Sequence, residues 1–378
     1  MNQPQLQLEL FADEEPQPAN TEGIKYIGSK MLIIPYIIDA ARKINAKSVI
    51  DGFSGTTRVS QAFAHNGHDV ISSDISAWSE VFATCYLRNC HINHLAELIE
   101  YLNNVQPFDG WFTEHYGGDA SESEFVNTKK PWQRHNTRKL DAIREAIDEM
   151  SLSKVEKSVL LTSLILALDK VDSTLGHFAS YLKEWSPRSY KRLELKEPMF
   201  VETAGNHRVR RGDIFQVLDD IPEVDLAYFD PPYGSNNEKM PPSRVRYAAY
   251  YHIWTTVCLN DRPRLFGKAK RRVDTRDKVA ASVFEDFRRN FGGRFRSVVA
   301  IERLISSVRA KYVLLSYSSG GRATSDELIE VLQKCGEIVE VQEIEYKRNV
   351  MSGMRWTNKW VRPKEGKNFE YLFLLRKH

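Results

Sequence analysis

The chain carries a short run of residues suited to binding an amino group on a planar ring. The apolar segment Val224–Phe229 is followed by Asp230, Pro231, Pro232 and Tyr233. Two consecutive prolines fix φ and lack an N–H, so a strand must end there with its carbonyls pointing into the cleft beyond. The Asp230 carboxylate and the Pro231 carbonyl can accept the two N–H bonds of the amino group, and the tyrosine can stack on its ring. A strand that ends in a proline turn without a ligand is the alternative.

A second candidate segment is Asp51–Gly55, which reads Asp-Gly-Phe-Ser-Gly and follows an apolar strand. Its glycines allow a ligand to approach the backbone closely. The G-x-G-x-x-G fingerprint is absent, which disfavours a nicotinamide dehydrogenase. Asp74 ends the next strand, about 20 residues further on, where an acid commonly holds ribose hydroxyls. Taken alone, Asp74 is better explained as a turn or helix N-cap residue.

Strands and helices alternate around both segments. The first half of the pattern predicts helix Met31–Ile44, strand Ser48–Ile50, helix Val59–His65, strand Asp69–Ser73 and helix Ser76–Asn89. The second half predicts strands Val209–Ile214, Val224–Phe229 and Tyr312–Tyr317, helices Phe295–Val308 and Ser325–Cys335, and strands near Ile338–Tyr346 and Tyr371–Leu375. This alternation is typical of a parallel α/β sheet. Ligands of such sheets bind beyond the carboxyl ends of the strands, where both candidate segments lie.

Residues 91–200, between these halves, are predicted to be mainly helical. Lys139–Met150 and Lys154–Asp172 have apolar residues at helical spacing. The segment from Trp111 to Arg138 is polar, aromatic and irregular. The interval is long enough for a separate helical lobe.

Positive charge is concentrated in two runs, although the net charge is only +3. Residues 262–311 contain 15 Lys or Arg and five acids, and residues 347–364 contain six Lys or Arg and no acid. Residues 1–24 hold five acids and no Lys or Arg, and their composition is that of a flexible leader. A single run of charge is as often an ordinary solvated surface as a binding surface. Two such runs with aromatic residues interleaved or adjacent favour a surface that binds a polyanion.

The composition excludes several classes of protein. With 378 residues, 42% hydrophobic and 27% charged, the chain is globular and not disordered. No apolar run approaches the ~18–20 residues that span a bilayer, and no secretory signal opens the chain, so we expect a cytoplasmic protein without a membrane partner. The four cysteines form no C-x-x-C pair, so neither a zinc ribbon nor a disulfide framework is indicated, and no metal site is expected.

Six segments together resemble the Dam-like, alpha-group DNA adenine-N6 methyltransferases, which use S-adenosylmethionine. They are Lys25–Lys30, Asp51–Gly55, Ser73–Ile75, Gly212–Phe215, Asp230–Tyr233 and Val313–Ser318. Their order and spacing match that family over about residues 23–378, and Tyr251–Trp254 with Arg262–Lys268 is similar to a block of its restriction-modification members. The resemblance implies an α/β fold, a Rossmann-like, mostly parallel methyltransferase sheet with an inserted, mainly helical lobe.

The resemblance also implies a division of the chain. Residues 1–22 would form an acidic flexible leader, residues 23–90 and 208–378 the catalytic domain, and residues 91–207 an inserted helical lobe that recognises the target. The segment from Trp111 to Arg138 is then either a DNA-facing loop or an ordinary solvated connection. Its cationic and aromatic residues include Lys129, Lys130, Trp132, Arg134, His135 and Arg138.

By the same resemblance, five residues would bind the methionine part of the cofactor. Tyr26 and Lys30 would contact its carboxylate, with the lysine supplying the compensating charge. Asp51 and the backbone around Phe53 and Gly55 would hold its amino group. The alternative for the lysine is a surface residue at the start of a helix.

Four further residues would bind the nucleoside part of the cofactor. Asp74 would accept from the ribose hydroxyls, Asp213 would accept from the adenine amino group, and Ile214 or Phe215 would cover the adenine ring. A helix N-cap is an equally good explanation of Asp213 on local grounds.

The implied reaction is methyl transfer to the N6 amino group of an adenine in a specific duplex DNA sequence. The adenine would be flipped out of the helix, because this chemistry cannot reach a base inside the stack. Asp230, Pro231, Pro232 and Tyr233 would form the catalytic motif. The nearby His252 is a tempting base, but packing in an aromatic-rich helix explains it better. The family's Asn-Tyr-His block lacks its Asn here, which puts details of the base pocket in doubt.

The expected macromolecular partner is double-stranded DNA, and a restriction endonuclease acting on the same site is a candidate second partner. Contacts to DNA are expected from Lys268, Lys270, Arg271, Arg272, Arg355 and Lys359. Such contacts to phosphate position the protein without specifying a sequence.

Three other functions remain open on the sequence. They are a related amino-methyltransferase acting on RNA or protein, an inactive DNA-binding relative, and a nucleotide-binding oxidoreductase. An Asp as the first residue of the catalytic motif favours adenine, whereas cytosine-N4 enzymes of this group usually carry Ser.

Overall fold

The computed structural model describes residues 20–88, 92–119, 130–182, 184–200, 203–234, 247–276, 279–346 and 368–378. All but the last three residues of the predicted leader 1–22 lie outside these ranges. So does the second basic run, residues 347–364, and with it the two candidate DNA contacts Arg355 and Lys359.

The centre of the fold is a seven-stranded sheet. The described residues form eleven strands in all. They are β1 Ser48–Asp51, β2 Asp69–Asp74, β3 Gly117–Gly118, β4 Trp132–Gln133, β5 Arg208–Arg211, β6 Val224–Phe229, β7 Leu265–Phe266, β8 Arg271–Arg272, β9 Ala310–Ser318, β10 Gly336–Tyr346 and β11 Asn368–Lys377. The sheet has the order β10-β11-β9-β6-β1-β2-β5, and two-stranded pairs form from β3 with β4 and β7 with β8. The five strands from β9 to β5 run parallel, and β11 is antiparallel to both of its neighbours. The predicted mostly parallel α/β sheet is confirmed.

The described ranges contain twelve α-helices. They are α1 Ile34–Lys43, α2 Arg58–His65, α3 Ala77–Leu87, α4 Leu95–Asn104, α5 Trp111–Tyr116, α6 Arg134–Glu149, α7 Lys154–Lys170, α8 Ile214–Asp220, α9 Tyr247–Tyr250, α10 His252–Leu259, α11 Arg296–Ser307 and α12 Ser325–Cys335. Within the described ranges, no helix is both long and apolar enough to cross a bilayer.

Helices cover both faces of the sheet, because successive side chains of a strand point to opposite faces. On β1, Val49 packs with α1 and α2, whereas Ile50 packs with α8 and α11 on the other face. On β6, Leu226 joins the first of these cores and Phe229 the second. All four side chains are fully buried. The central strands are therefore continuous apolar runs, as expected for a sheet buried on both sides.

Helices α4 to α7, in the predicted insert, share one hydrophobic core with α3 and α10. Trp132 lies in this core, completely buried, and its indole N–H donates to the Leu168 carbonyl at 3.0 Å. The segment from Trp111 to Arg138 was expected to be irregular, yet its described part contains α5, β3, β4 and the start of α6. Burial of its tryptophan excludes the DNA-facing interpretation for that residue.

A buried carboxylate joins the end of α7, in the predicted insert, to the segment Lys25–Lys30. Asp172 is 1% exposed and lies just after α7. Its Oδ1 pairs with the Lys25 ammonium at 2.7 Å and with the Arg188 guanidinium at 2.7 Å. The segment Lys25–Lys30 is thus held against the helical insert by ion pairs.

The direction of the strands determines which residues meet at one edge. The chain places β2 and β5 on one side of β1, and β6 and β9 on the other, so the carboxyl ends of β1 and β6 flank the point where the strand order reverses. Because β11 is antiparallel, its first residues lie at this same edge, where Glu370 pairs with Ser318 at the end of β9.

Candidate active site

Four aspartates predicted from the sequence lie at the carboxyl edge of the sheet. They are Asp51 at the end of β1, Asp74 at the end of β2, Asp213 after β5 and Asp230 after β6. The loop after β1 and the end of β2 are joined directly, since the Gly55 N–H donates to Asp74 Oδ2 at 2.9 Å. Clefts at such a reversal of strand order are the usual ligand sites of open α/β sheets.

Asp51 is buried and only half satisfied. Its Oδ2 accepts from the Ser60 hydroxyl at 2.6 Å, whereas no described group donates to its Oδ1. Burial, opposed by the Ser60 hydrogen bond and reinforced by Asp230 and Asp74, raises the pKa of Asp51 to about 7. A buried carboxylate oxygen without a donor is a ready acceptor for a cationic ligand.

The loop after β1 requires glycine at two positions. A Cβ at Gly52 would lie 2.6 Å from the Phe229 ring, so no larger residue fits there. Gly55 has φ +46, and a Cβ there would lie 3.3 Å from the Tyr26 hydroxyl. The backbone of this loop therefore lies directly against the end of β6 and against Tyr26.

Tyr26 belongs to an aromatic cluster next to this loop. Its ring stacks on Tyr251 with 4.6 Å between centroids and on Tyr247 with 5.4 Å. The Tyr251 hydroxyl accepts from the Ile27 N–H at 2.8 Å. The aromatic residues around α10 thus fix the start of the catalytic domain against the β1 loop.

Phe53 and Phe215 meet through a third aromatic residue that sequence reasoning missed. The Phe284 ring lies 5.2 Å from Phe53, edge to face, and stacks on Phe215 at 5.9 Å. Ile214 is buried beside them, in the same core. Asp213 caps α8, with its Oδ1 accepting from the Phe215 N–H at 3.0 Å, as the N-cap alternative proposed.

The predicted catalytic motif, Asp230–Tyr233, is held by a buried charge cluster, defined as Lys30, Asp230, Tyr233 and Glu370. The Lys30 ammonium lies 3.1 Å from Asp230 Oδ1 and 2.7 Å from Glu370 Oε1. The Tyr233 hydroxyl donates to Glu370 Oε1 at 2.5 Å and also contacts Asp230 and Lys30. The Ser316 hydroxyl donates to the same Glu370 oxygen at 2.7 Å. Lys30 is 7% exposed, so the surface-lysine alternative is wrong.

Electrostatics of this cluster depend on its two carboxylates. Burial raises the pKa of Asp230 to about 6, with the Lys30 ammonium opposing the rise and the Glu370 carboxylate adding to it. Burial lowers the pKa of Lys30, but Asp230 and Glu370 outweigh it and hold that pKa well above its usual value. The ammonium is therefore charged and already balanced by protein carboxylates. The sequence predicted that Lys30 compensates the charge of the methionine carboxylate of the cofactor. In this geometry the charge of Lys30 is already compensated by Asp230 and Glu370.

Glu370 was missed because the sequence does not give the direction of β11. Its signal was present, since it is a charged residue within the apolar run Phe369–Leu375. A buried acid in such a strand requires a partner, and Lys30 provides it from 340 residues away.

His252 is confirmed as a packing residue. It is fully buried, and burial lowers its pKa to about 3, so the ring is neutral.

The candidate DNA contacts of the first basic run occupy different environments. Lys268 and Lys270 are exposed on the turn between β7 and β8. The Arg271 guanidinium lies 5.0 Å from the Phe266 ring centroid.

Arg272 requires a correction. It is 4% exposed, and its guanidinium pairs with Asp261 at 2.7 Å and Asp274 at 2.8 Å. The expectation that Arg272 binds phosphate was wrong, because its donors are engaged inside the protein.

Two tyrosines of the insert hold the turn that carries these lysines. The Tyr116 hydroxyl donates to the Lys270 carbonyl at 2.9 Å, and the Tyr181 hydroxyl donates to the Ala269 carbonyl at 2.7 Å. Two residues of the predicted insert therefore hold a basic turn that lies about 90 to 150 residues further along the chain.

Comparisons with known proteins agree with this fold. The family model of the D12 class N6 adenine-specific DNA methyltransferases matches residues 26–291. Type II methyltransferase M.NlaIII of Neisseria lactamica is 27% identical over 365 residues, which cover 94% of this chain and 99% of that protein. Modification methylase StsI of Streptococcus sanguinis is 26% identical over 86% of this chain, and modification methylase LlaI of Lactococcus lactis is 27% identical over the same share. The matches cover 48% of StsI and 51% of LlaI.

The chain belongs to the D12 class of N6 adenine-specific DNA methyltransferases, because the family model matches more than half of it. It is an enzyme that transfers a methyl group to the N6 amino group of adenine in DNA.

Proposed function

We propose that the enzyme methylates a flipped adenine within a specific duplex sequence, using S-adenosylmethionine, as the modification enzyme of a restriction-modification system. The printed names of its relatives, modification methylases and type II methyltransferases, support the biological role. The observation that carries the chemistry is the position of Asp230 and Pro231 at the end of β6, beside the half-satisfied Asp51 at the end of β1.

The residues at the carboxyl edge fit S-adenosylmethionine. The donorless Asp51 Oδ1 suits the methionine ammonium, and Phe53 and Gly55 would line the same end of the cofactor. Tyr26 lies against this loop, and Lys30 would reach the methionine carboxylate only as part of the buried charge cluster. The cofactor would supply the methyl group, activated by its sulfonium.

The nucleoside part would lie over the ends of β2 and β5. Asp74 already accepts from Gly55 and Ser76, so a ribose hydroxyl would join an existing network. Ile75, which follows Asp74, is 70% exposed and offers an apolar face, as Phe215 does from α8. Asp213 would use the oxygen that does not cap the helix.

The protein's own contribution to the reaction is to orient the adenine amino group. Its nitrogen is a poor nucleophile, because the lone pair is delocalised into the ring. Asp230 Oδ1 is occupied by Lys30 and Tyr233, so Oδ2 is the oxygen available to the amino group, together with the Pro231 carbonyl. These acceptors favour a pyramidal nitrogen whose lone pair points at the methyl group, and they stabilise its developing positive charge. Pro232 keeps the motif rigid.

Flipping the adenine costs a few kcal/mol of stacking and pairing. The Tyr233 ring would return part of this cost by stacking on the flipped base, on the order of 1–3 kcal/mol. Its hydroxyl is fixed to Glu370, so the ring is already oriented before the base arrives.

DNA would be bound by the basic turn that carries Lys268 and Lys270, with Arg271 beside it. The interval 91–207 is our candidate for the target-recognition region, because Tyr116 and Tyr181 within it hold that turn. A restriction endonuclease acting on the same site is the partner we propose, and the prokaryotic cytoplasm, in contact with nucleoid DNA, is the proposed location.

The direct test is transfer of labelled methyl from S-adenosylmethionine to unmethylated plasmid DNA, total RNA and protein. We expect label in DNA alone, recovered as N6-methyladenine at one short sequence. Label confined to RNA or protein would overturn the proposal. Asp230→Ala should abolish turnover and leave binding of S-adenosylhomocysteine within about threefold of wild type, because Asp230 faces the amino group and not the cofactor.

A further inference from the structure

An open cavity lies beside β5, the strand at one edge of the central sheet. Its volume is about 490 Å³, and three arginines line it, namely Arg88 after α3 and Arg208 and Arg210 on β5. The two arginines of the strand are two residues apart, so they project from the same side of β5. The described lining also includes Thr203 and Asn206, and it contains no acid. We call this site the arginine cavity.

The positive charge of the arginine cavity is not compensated by the described residues. All three arginines are exposed. Within the described ranges, Arg88 and Arg208 make no ion pair, and Arg210 contacts only the carbonyl of Val209, at 3.4 Å. A concave surface lined by one sign of charge attracts ions of the opposite sign. The arginine cavity therefore fits a ligand that carries several carboxylates or phosphates.

The described part of the chain begins close to this cavity. Glu22 fixes its first residues, because one carboxylate oxygen accepts from the Tyr86 hydroxyl at 2.9 Å and from the Met199 N–H at 2.8 Å. Tyr86 lies in α3, two residues before the first of the three arginines. Met199 precedes Thr203 of the lining by four residues, which span at most about 14 Å.

The residues that precede this point carry the opposite charge. Residues 1–19 contain four acids and no Lys or Arg, and three of the acids are consecutive, Asp13, Glu14 and Glu15. They precede residue 20 by five to seven positions, which span up to about 25 Å. The three acids can therefore reach the arginine cavity. A tether this short presents them to it at an effective concentration on the order of millimolar.

We propose that the acidic run Asp13–Glu15 docks into the arginine cavity of the same chain, where its carboxylates pair with the three arginines. Docking neutralises a cationic surface that lies on a different part of the chain from the basic turn of Lys268 and Lys270. Other polyanions, DNA included, compete with the leader for these arginines. The acidic leader thus limits binding of DNA away from the basic turn. This inference does not depend on the proposed restriction-modification role.

Zero-length carbodiimide cross-linking of the full chain tests the contact. Arg208→Lys keeps the positive charge and supplies an amine, which should couple to one of the three leader acids in a peptide identified by mass spectrometry. The yield should fall about fivefold in about 0.5 M NaCl, because exposed ion pairs are screened by salt. It should also fall about threefold when Arg88→Ser and Arg210→Ser are added. Arg276→Ser, which removes an exposed arginine of the first basic run, is the matched control and should leave the yield unchanged.

Three results would contradict docking within one chain. The first is the absence of a cross-link between the introduced amine and the leader. The second is an equal yield of leader cross-links at Lys268, which would mean that the acids contact the cationic surface without preference. The third is a cross-link formed mainly between chains, which a mixture of isotope-labelled and unlabelled protein detects.

Binding of a random-sequence duplex gives a second readout that does not require methyl transfer. Neutralising the leader with Asp13→Asn, Glu14→Gln and Glu15→Gln should raise the affinity about threefold, because the arginine cavity becomes available to phosphates. Adding Arg88→Ser, Arg208→Ser and Arg210→Ser should cancel this rise. A rise that persists in the combined variant would reflect net charge alone and would refute a specific role of the cavity.

Discussion

At the scale of single residues, the site depends on where buried charge is left uncompensated. Glu370 carries three donors on one oxygen, whereas Asp51 leaves one oxygen without any described donor. The first arrangement stabilises a fixed geometry and the second leaves the protein ready for a ligand. The two carboxylates therefore lead to opposite expectations on mutation.

Glu370→Gln should lower kcat about tenfold or more, because Lys30 and Tyr233 lose the charge that holds them, and small misplacements are costly in catalysis. The carboxylate also raises the pKa of Asp230, so its removal lowers that pKa. The acid limb of the kcat profile, expected near pH 6 in wild type, should move to lower pH. Ser316→Ala, which removes one donor and no charge, is the matched control. An unmoved acid limb in Glu370→Gln would contradict an electrostatic role.

Asp51→Asn should stabilise the protein and weaken the cofactor site. The pKa of Asp51 in the folded protein, about 7, exceeds the usual aspartate pKa of 3.8, so this carboxyl costs stability progressively as pH rises from about 4 and fully above 7. At pH 8 the variant should gain on the order of 1–3 kcal/mol, and at pH 5 clearly less. Calorimetry at both values checks this. Affinity for S-adenosylhomocysteine should fall about tenfold, and an unchanged affinity would remove Asp51 from the cofactor site.

At the scale of elements, the hairpin of β7 and β8 shows that a basic run contains two kinds of cation. Lys268 and Lys270 lie on its exposed turn, whereas Arg272 at its base is enclosed by carboxylates. The sequence could not distinguish these two kinds of cation, because the charge of a side chain does not show whether it points to solvent or into the protein.

Lys268→Ala with Lys270→Ala should weaken DNA binding and reduce the slope of log K against log salt by about 2, one for each phosphate contact. Arg272→Ala should leave that slope unchanged and lower stability by on the order of 2 kcal/mol, because two carboxylates lose their partner. Lys311→Ala, an exposed lysine at the opposite edge of the sheet, is the control for net charge. Equal slopes for the double variant and wild type would place these lysines in solvent.

At the scale of the whole molecule, the order of elements was predictable and the meeting of distant segments was not. Apolar runs ending in Asp-Gly or Asp-Pro-Pro predict strand ends, and β6 and α12 have the predicted bounds. Trp132 was misjudged because a polar segment around a buried aromatic residue looks like a loop. Glu370 and Phe284 were missed because their neighbours come from chain segments far away in the sequence.

The ion pairs that join the N-terminal segment to the insert give a prediction at this scale. Asp172→Ala leaves Lys25 and Arg188, which are 37% and 36% exposed, without their buried partner and should cost about 1–3 kcal/mol, measured by urea unfolding. Asp109→Ala, whose carboxylate is 48% exposed and pairs with Arg134, should cost less than about 1 kcal/mol. Similar decreases in the free energy of unfolding for both variants would contradict the role of Asp172 in holding the N-terminal segment against α7.

The antiparallel β11 has a consequence for how the enzyme comes into being. The buried charge cluster joins Lys30, near the start of the described residues, to Glu370 in β11. During synthesis, Lys30 and the motif Asp230–Tyr233 are translated long before β11. Lys30 and Asp230 therefore lack Glu370 until β11 has been made. A nascent or truncated chain that lacks β11 therefore has no Glu370 to hold Lys30 and Tyr233, and we expect methyl transfer only from chains that have been translated through that strand.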